Sequence, residues 1–166
     1  MVVREIETND VEKLASLIKK VDSSSAYMLW EAGERNIQSD TQLKMIENLK
    51  KAENSTMLVA EKENELVGYL LAVGGNARRN KHLAYVVIGI LKDFRGKGIG
   101  KQLFQKLEQW SVNQQIRRLE LTVVTKNEEA ISLYRKMGFE VEGTKRNSLR
   151  IEDKFVDEFY MSKLLR

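Results

Sequence analysis

The sequence has no cysteine and a single histidine, His82, among its 166 residues. Without thiols, a disulfide scaffold, a zinc ribbon, an iron–sulfur protein and a cysteine-nucleophile enzyme are excluded. With one histidine there is no Cys–His pair and no two-histidine metal motif, so no metal is expected. Long apolar runs are also missing: the longest, Leu83 to Leu91, falls far short of the roughly 20 residues that cross a bilayer. The stretch Met1 to Asp10 has no basic start followed by an apolar segment, so no secretory leader is read there and a cytoplasmic protein with no membrane partner is expected. Charge of one sign is not in excess. The 28 Lys plus Arg against 24 Asp plus Glu leave +4, too little for a dense basic stripe, and no nucleic-acid partner is expected. Chemistry is left to carboxylates, amines, hydroxyls and backbone groups.

What is present suits a globular chain: 42% hydrophobic and 31% charged residues over a length that fits one domain, 1–166, able to bury about two-thirds of its unfolded surface. Val2 to Glu7 reads as a strand, and Val11, Leu14, Ile18 and Val21 follow at helical spacing. The stretch 26–37 has no clean period. Ser39 and Gln42 have the spacing of a capping box for a helix over about 40–52. Thr56 to Glu61 and Leu66 to Val73 predict an antiparallel hairpin, and Leu83 to Leu91, apolar on both faces, predicts a central strand. A helix carrying Ile99, Leu103, Leu107 and Trp110 comes next, then a strand at Arg118 to Val124 and a helix from Asn127 through Met137. Strands near Phe139 to Thr144 and Phe155 to Leu164 complete an α/β order of seven strands and four helices, most economically one sheet with helices on both faces.

Arg95-Gly96-Lys97-Gly98-Ile99-Gly100 lies between a predicted buried strand and a predicted amphipathic helix. Backbone N–H groups and the helix dipole make an anion site there, and glycines let the chain turn with positive φ and approach a diphosphate closely. A P-loop does not fit, because Arg95 and Gln102 stand where it needs Gly and Ser or Thr. A dinucleotide fingerprint fails on spacing. Arg95-x-x-Gly98-x-Gly100 resembles the (Arg/Gln)-x-x-Gly-x-(Gly/Ala) signature of the GCN5-related N-acetyltransferase (GNAT) superfamily. Asn127-x-x-Ala130-x-x-Leu133-Tyr134-x-x-x-Gly138-Phe139 matches that family's next-helix motif at every named position. The resemblance implies a single mixed, mostly antiparallel sheet flanked by helices, with acetyl-CoA as cosubstrate and an amine on a small molecule or a protein as acceptor. It also allows a homodimer.

The resemblance further implies that the diphosphate of acetyl-CoA rests on the backbone of Arg95, Gly96, Lys97, Gly98, Ile99, Gly100 and Lys101. Its pantetheine arm would lie along Ile88, Gly89 and Ile90, with Asn127 and Ala130 across from them. Gly89 marks either a bulge or the relief of crowding in a central strand. Tyr134 is the candidate acid, since a phenol stays protonated at neutral pH and can supply a proton to a departing thiolate. Asn127 reads equally as a helix cap. No carboxylate occupies Ala84 to Leu91, where several family members carry a glutamate, so Glu120, Glu61, Glu31 and His82 all stay open as the base. Tyr27, Trp30, Glu31 and Glu120 are acceptor-side candidates, Tyr27 and Trp30 also fitting a packed helical stripe. A non-catalytic protein of the same fold that binds or senses CoA is the alternative.

Overall fold

A computed structural model describes all of residues 1–166. Seven strands form one sheet in the order β1-β2-β3-β4-β5-β7-β6. They are β1 Val2–Glu5, β2 Thr56–Lys62, β3 Glu65–Gly74, β4 Leu83–Ile90, β5 Arg118–Val124, β6 Glu140–Ile151 and β7 Lys154–Leu164. Every neighbouring pair is antiparallel except β4 and β5. The helices are α1 Val11–Ser24, α2 Ser39–Lys51, α3 Ile99–Asn113 and α4 Glu128–Lys136. The mixed sheet and the helix count are those expected from the sequence.

Alternation along the strands divides the core in two. Met57 and Val59 of β2 and Tyr69 of β3 pack with Leu14, Leu17, Ile18 and Val21 of α1 and Ile46 of α2. Leu58, Ala60, Leu70 and Val86 face the other way, onto Leu103, Phe104 and Leu107 of α3 and Ile131 and Tyr134 of α4. The helical pairs thus cover opposite faces. α1 and α2 reach β2, β3 and β4 and leave the matching face of β5, β7 and β6 without a helix over it.

Three local expectations are corrected. Gln38, in extended conformation, precedes α2 without a side-chain cap. Thr41 Oγ1 donates to the Gln38 carbonyl at 2.9 Å, while Gln42 Oε1 is buried without a partner, so the capping box does not form. Residues 26–37 are bends and turns and not a helix, which removes the helical-stripe reading of Tyr27 and Trp30. The Ser25 hydroxyl sets their path, accepting from the backbone N–H groups of Tyr27 and Met28 at 3.2 and 3.3 Å. β6 continues to Ile151 because Glu152 and Asp153 both take positive φ, +51° and +62°, and close a tight hairpin with β7. Such turns usually contain Asn-Gly or Asp-Gly, and this pair carries neither signal.

Candidate functional site

β4 and β5 pair only from Leu83 with Arg118 to Tyr85 with Glu120. Beyond that point the strands diverge while β4 stays paired with β3 as far as Ile90, so one edge of β4 faces a gap. The Leu91 N–H bonds the Val67 carbonyl at 3.0 Å. Backbone groups alternate along a strand, so Val86, Ile88 and Ile90 turn their N–H and C=O groups toward the gap. Gly89 turns its own toward β3, opposite Tyr69 in unbroken register. There is no bulge at Gly89. A Cβ built there would stand 2.6 Å from Tyr69 Cε1 and 2.9 Å from Val21 Cγ1, which is the crowding the sequence allowed for.

The glycine turn follows at the open end of the gap. Gly96 and Gly98 adopt φ of +72° and +83° with nothing near a hypothetical Cβ, so backbone conformation alone demands glycine there. Gly98 caps α3, and the first N–H to bond back is that of Gln102, to the Gly98 carbonyl at 3.1 Å. The N–H groups of Ile99, Gly100 and Lys101 are left at the positive end of the helix, with no acidic residue in the first turn. Such an arrangement of free N–H groups can receive an anion such as a diphosphate. Gly100 serves packing instead: a Cβ would lie 2.7 Å from Leu133 Cδ2 of α4. Arg95 Nε donates to the Ile90 carbonyl at 3.2 Å and so fixes its guanidinium between strand and turn. Lys97 Nζ rests 5.5 Å from the Phe94 ring centroid. Ile99 is buried, so only its backbone can meet a ligand, while Lys101 is exposed.

α4 supplies the opposite wall. Asn127 Oδ1 accepts the Ala130 N–H at 3.3 Å, the capping role foreseen for it, and its Nδ2 is left to donate. Tyr134 is 7% exposed, its ring edge-on to Phe104 at 5.8 Å and tilted on Phe139 at 6.1 Å. Burial, and secondarily the neighbouring Tyr85, push its phenol well above the ordinary tyrosine range. Tyr85 was not singled out by the sequence. Its hydroxyl lies 2.8 Å from Thr122 Oγ1, joining the last paired residue of β4 to a residue of β5 two positions past the pairing. The only cue was a tyrosine in the otherwise apolar run Leu83–Ile90.

Two of the three carboxylates open as bases, Glu120 and Glu61, are otherwise occupied. Glu120 takes Arg118 Nε at 2.8 Å, and Arg118 also holds Glu142 at 2.7 Å. Glu142 is kept below the usual carboxylate range by hydrogen bonding from Ser162 and then from Arg118. Glu61 lies on β2, away from the gap, beside Arg4 at 3.4 Å and Lys13 at 3.5 Å. His82 is exposed where β4 and β5 are closed, its carbonyl accepting the Arg117 N–H at 2.7 Å. Tyr27, Trp30 and Glu31 sit exposed on the α1–α2 loop. Arg35 anchors that loop with two bonds to buried Asp22, at 3.0 and 2.8 Å, and lies 5.6 Å from the Trp30 ring centroid.

The comparisons agree with this geometry. A family model described as Acetyltransferase (GNAT) family matches residues 23–139. The L-amino acid N-acetyltransferase AaaT of Escherichia coli K12 is 31% identical over 108 residues, 64% of this chain and 67% of that protein. An acetyltransferase of the GNAT family from Streptococcus pneumoniae superposes with a TM-score of 0.95 at 26% identity, covering 99% of each chain. The yncA protein of Salmonella typhimurium, a putative acetyltransferase solved with its cofactor acetyl-CoA, shares the fold with a TM-score of 0.88 at 16% identity, covering 99% of this chain and 94% of its own.

Proposed function

The chain belongs to the acetyltransferase (GNAT) family and is an acetyl-CoA-dependent acetyltransferase, and from that premise we propose that residues 1–166 form one domain that acetylates a primary amine by direct attack in a ternary complex. The observation that carries the reading is the β4–β5 gap with the glycine turn at its mouth and Tyr134 on its α4 wall. The cradle suits the donor on its own chemistry: two glycines at positive φ and the free N–H groups of α3 match a diphosphate, and an unpaired strand edge matches an amide-bearing arm. When bound, acetyl-CoA supplies an acetyl thioester.

The chain's residues then have distinct tasks. The N–H groups of Val86 and Ile88 are available to a carbonyl oxygen that gains charge as the amine attacks, and one such donor is worth about 3 to 4 kcal/mol of barrier in acyl transfer. An N–C bond forms, a C–S bond breaks, the nitrogen gives up one proton and the departing sulfur takes one. Tyr134 holds that second proton, and its raised pKa keeps it protonated across neutral pH. The absence of any cysteine removes an acetyl-cysteine route.

Two measurements test the reading. Saturating acetyl-CoA is expected to raise the unfolding midpoint, by the equivalent of about 2.7 kcal/mol at a hundred times Kd. Initial rates of thiol release with an amine panel are expected to give intersecting double-reciprocal lines. Parallel lines would point to a covalent intermediate, and binding without thiol release from any amine would leave a CoA-binding sensor.

A further inference from the structure

The face of β5 and β7 that no helix covers carries a carboxylate with no use in the scheme above. Thr122 pairs with Tyr160, and Val124 pairs with Glu158. Since Val123, Leu121 and Met161 point into the α3–α4 core, alternation puts Thr122, Val124, Glu158 and Tyr160 on the opposite face, the one from which Tyr85 reaches Thr122. Glu158 is 8% exposed, yet it joins none of the chain's ion pairs. Lys145, its register partner on β6, does not close on it. Nor are its oxygens among the sealed, unpartnered polar atoms, which are Gln42 Oε1, Ser111 Oγ and Ser148 Oγ. Strand alternation therefore aims Glu158 toward this face and away from the α3–α4 core.

Glu158 has no cationic partner within the chain, so an arriving cation would give its carboxylate the counter-charge it lacks. Its place along the sheet defines the cation's distance from the reacting nitrogen. Glu158 lies two residues along β5 and one strand across from Thr122, a backbone displacement of roughly 8 Å from strand rise and spacing. We propose that Glu158 anchors a second cationic centre of the acceptor, so that the substrate class is a short aliphatic diamine. One nitrogen attacks at the Tyr85–Thr122 end of the gap while the other stays protonated on Glu158. The inference rests on the transferase reading and adds the acceptor class to it.

Thiol release from acetyl-CoA is measured with 1,4-diaminobutane and with n-butylamine, for the wild type and for Glu158→Gln and Glu158→Asp. The expected wild-type kcat/KM favours the diamine about tenfold or more, through KM. Glu158→Gln brings the ratio near one, and Glu158→Asp retains part of it. The KM for acetyl-CoA serves as the folding control. Equal kcat/KM for the two amines in the wild type, or a diamine preference that survives Glu158→Gln, overturns the proposal. If Glu158→Gln does not fold, the wild-type ratio decides alone. Release with monoamines and no diamine preference defeats only this inference, whereas no release with any amine defeats the transferase reading beneath it.

Discussion

Glycines a few residues apart in one turn have separate physical warrants. Gly98 is required by its φ of +83°, which costs a residue with a Cβ about 1 to 2 kcal/mol even though space is open around it. Gly100 is required by space, since Leu133 of α4 closes to 2.7 Å of its Cβ position. A substitution at Gly98 thus strains the turn itself, and one at Gly100 pushes apart α3 and α4. Tyr134 separates packing from chemistry in the same way. Its ring is a core element between Phe104 and Phe139, and its hydroxyl is the part the proposed reaction uses. Tyr134→Phe keeps the ring and deletes the oxygen. The expected outcome is a kcat lower by about 10²- to 10³-fold, as for loss of a general acid, with the KM for acetyl-CoA and the unfolding midpoint nearly unchanged. Steady-state kinetics beside thermal unfolding checks this, and an unaltered kcat would reduce Tyr134 to a packing residue.

At the scale of elements, β4 is held differently along its two edges. Toward β3 it is paired throughout, and toward β5 it is free after Tyr85, so the same strand is scaffold along one edge and an open wall of the gap along the other. Gly89 belongs to the scaffold. The Tyr69 ring that covers it is buried beside Arg35, which Asp22 fixes through two bonds. Gly89→Ala is expected to cost about 1 to 3 kcal/mol through overpacking, read as a fall of roughly 2 to 4 °C in midpoint for each kcal/mol. An unchanged midpoint would mean that Tyr69 gives way freely. The sequence carried the elements well where apolar residues recur regularly, as in α3 and β4. It also carried the glycine turn before α3, because positive φ and helix starts leave letters behind. The acceptor side was much less legible. Tyr85 and Thr122 meet, and Glu158 comes onto the same sheet face, only after strands remote in sequence are set in register, and the α1–α2 loop takes its shape from Ser25, Asp22 and Arg35 and not from any period. Glu120 and Glu61 looked available until their arginine partners were placed.

Over the whole molecule, the two core clusters meet across a sheet whose one parallel contact is also its weakest seam. The far edge, β1, is tied down by charge as well as by pairing. Arg4 grips buried Asp10 with two bonds, at 2.7 and 2.8 Å, and Asp10 also accepts the Glu7 N–H at 2.8 Å. The Arg4 hydrogen bonds foremost hold the Asp10 carboxyl below the usual carboxylate range, against the opposing effect of burial. A carboxyl whose pKa is lower in the folded state than in the unfolded chain stabilises the fold fully above its unfolded pKa of about 3.9. That contribution disappears as pH falls through the folded value. Asp10→Asn, which cannot ionise, is therefore expected to be less stable than the wild type at pH 7, with the difference shrinking steadily below about pH 5. Urea unfolding of both proteins at a series of pH values between 7 and 3 measures it. A difference independent of pH would show that Asp10 acts through its shape and hydrogen bonds alone and that its charge contributes nothing to holding β1 against the sheet.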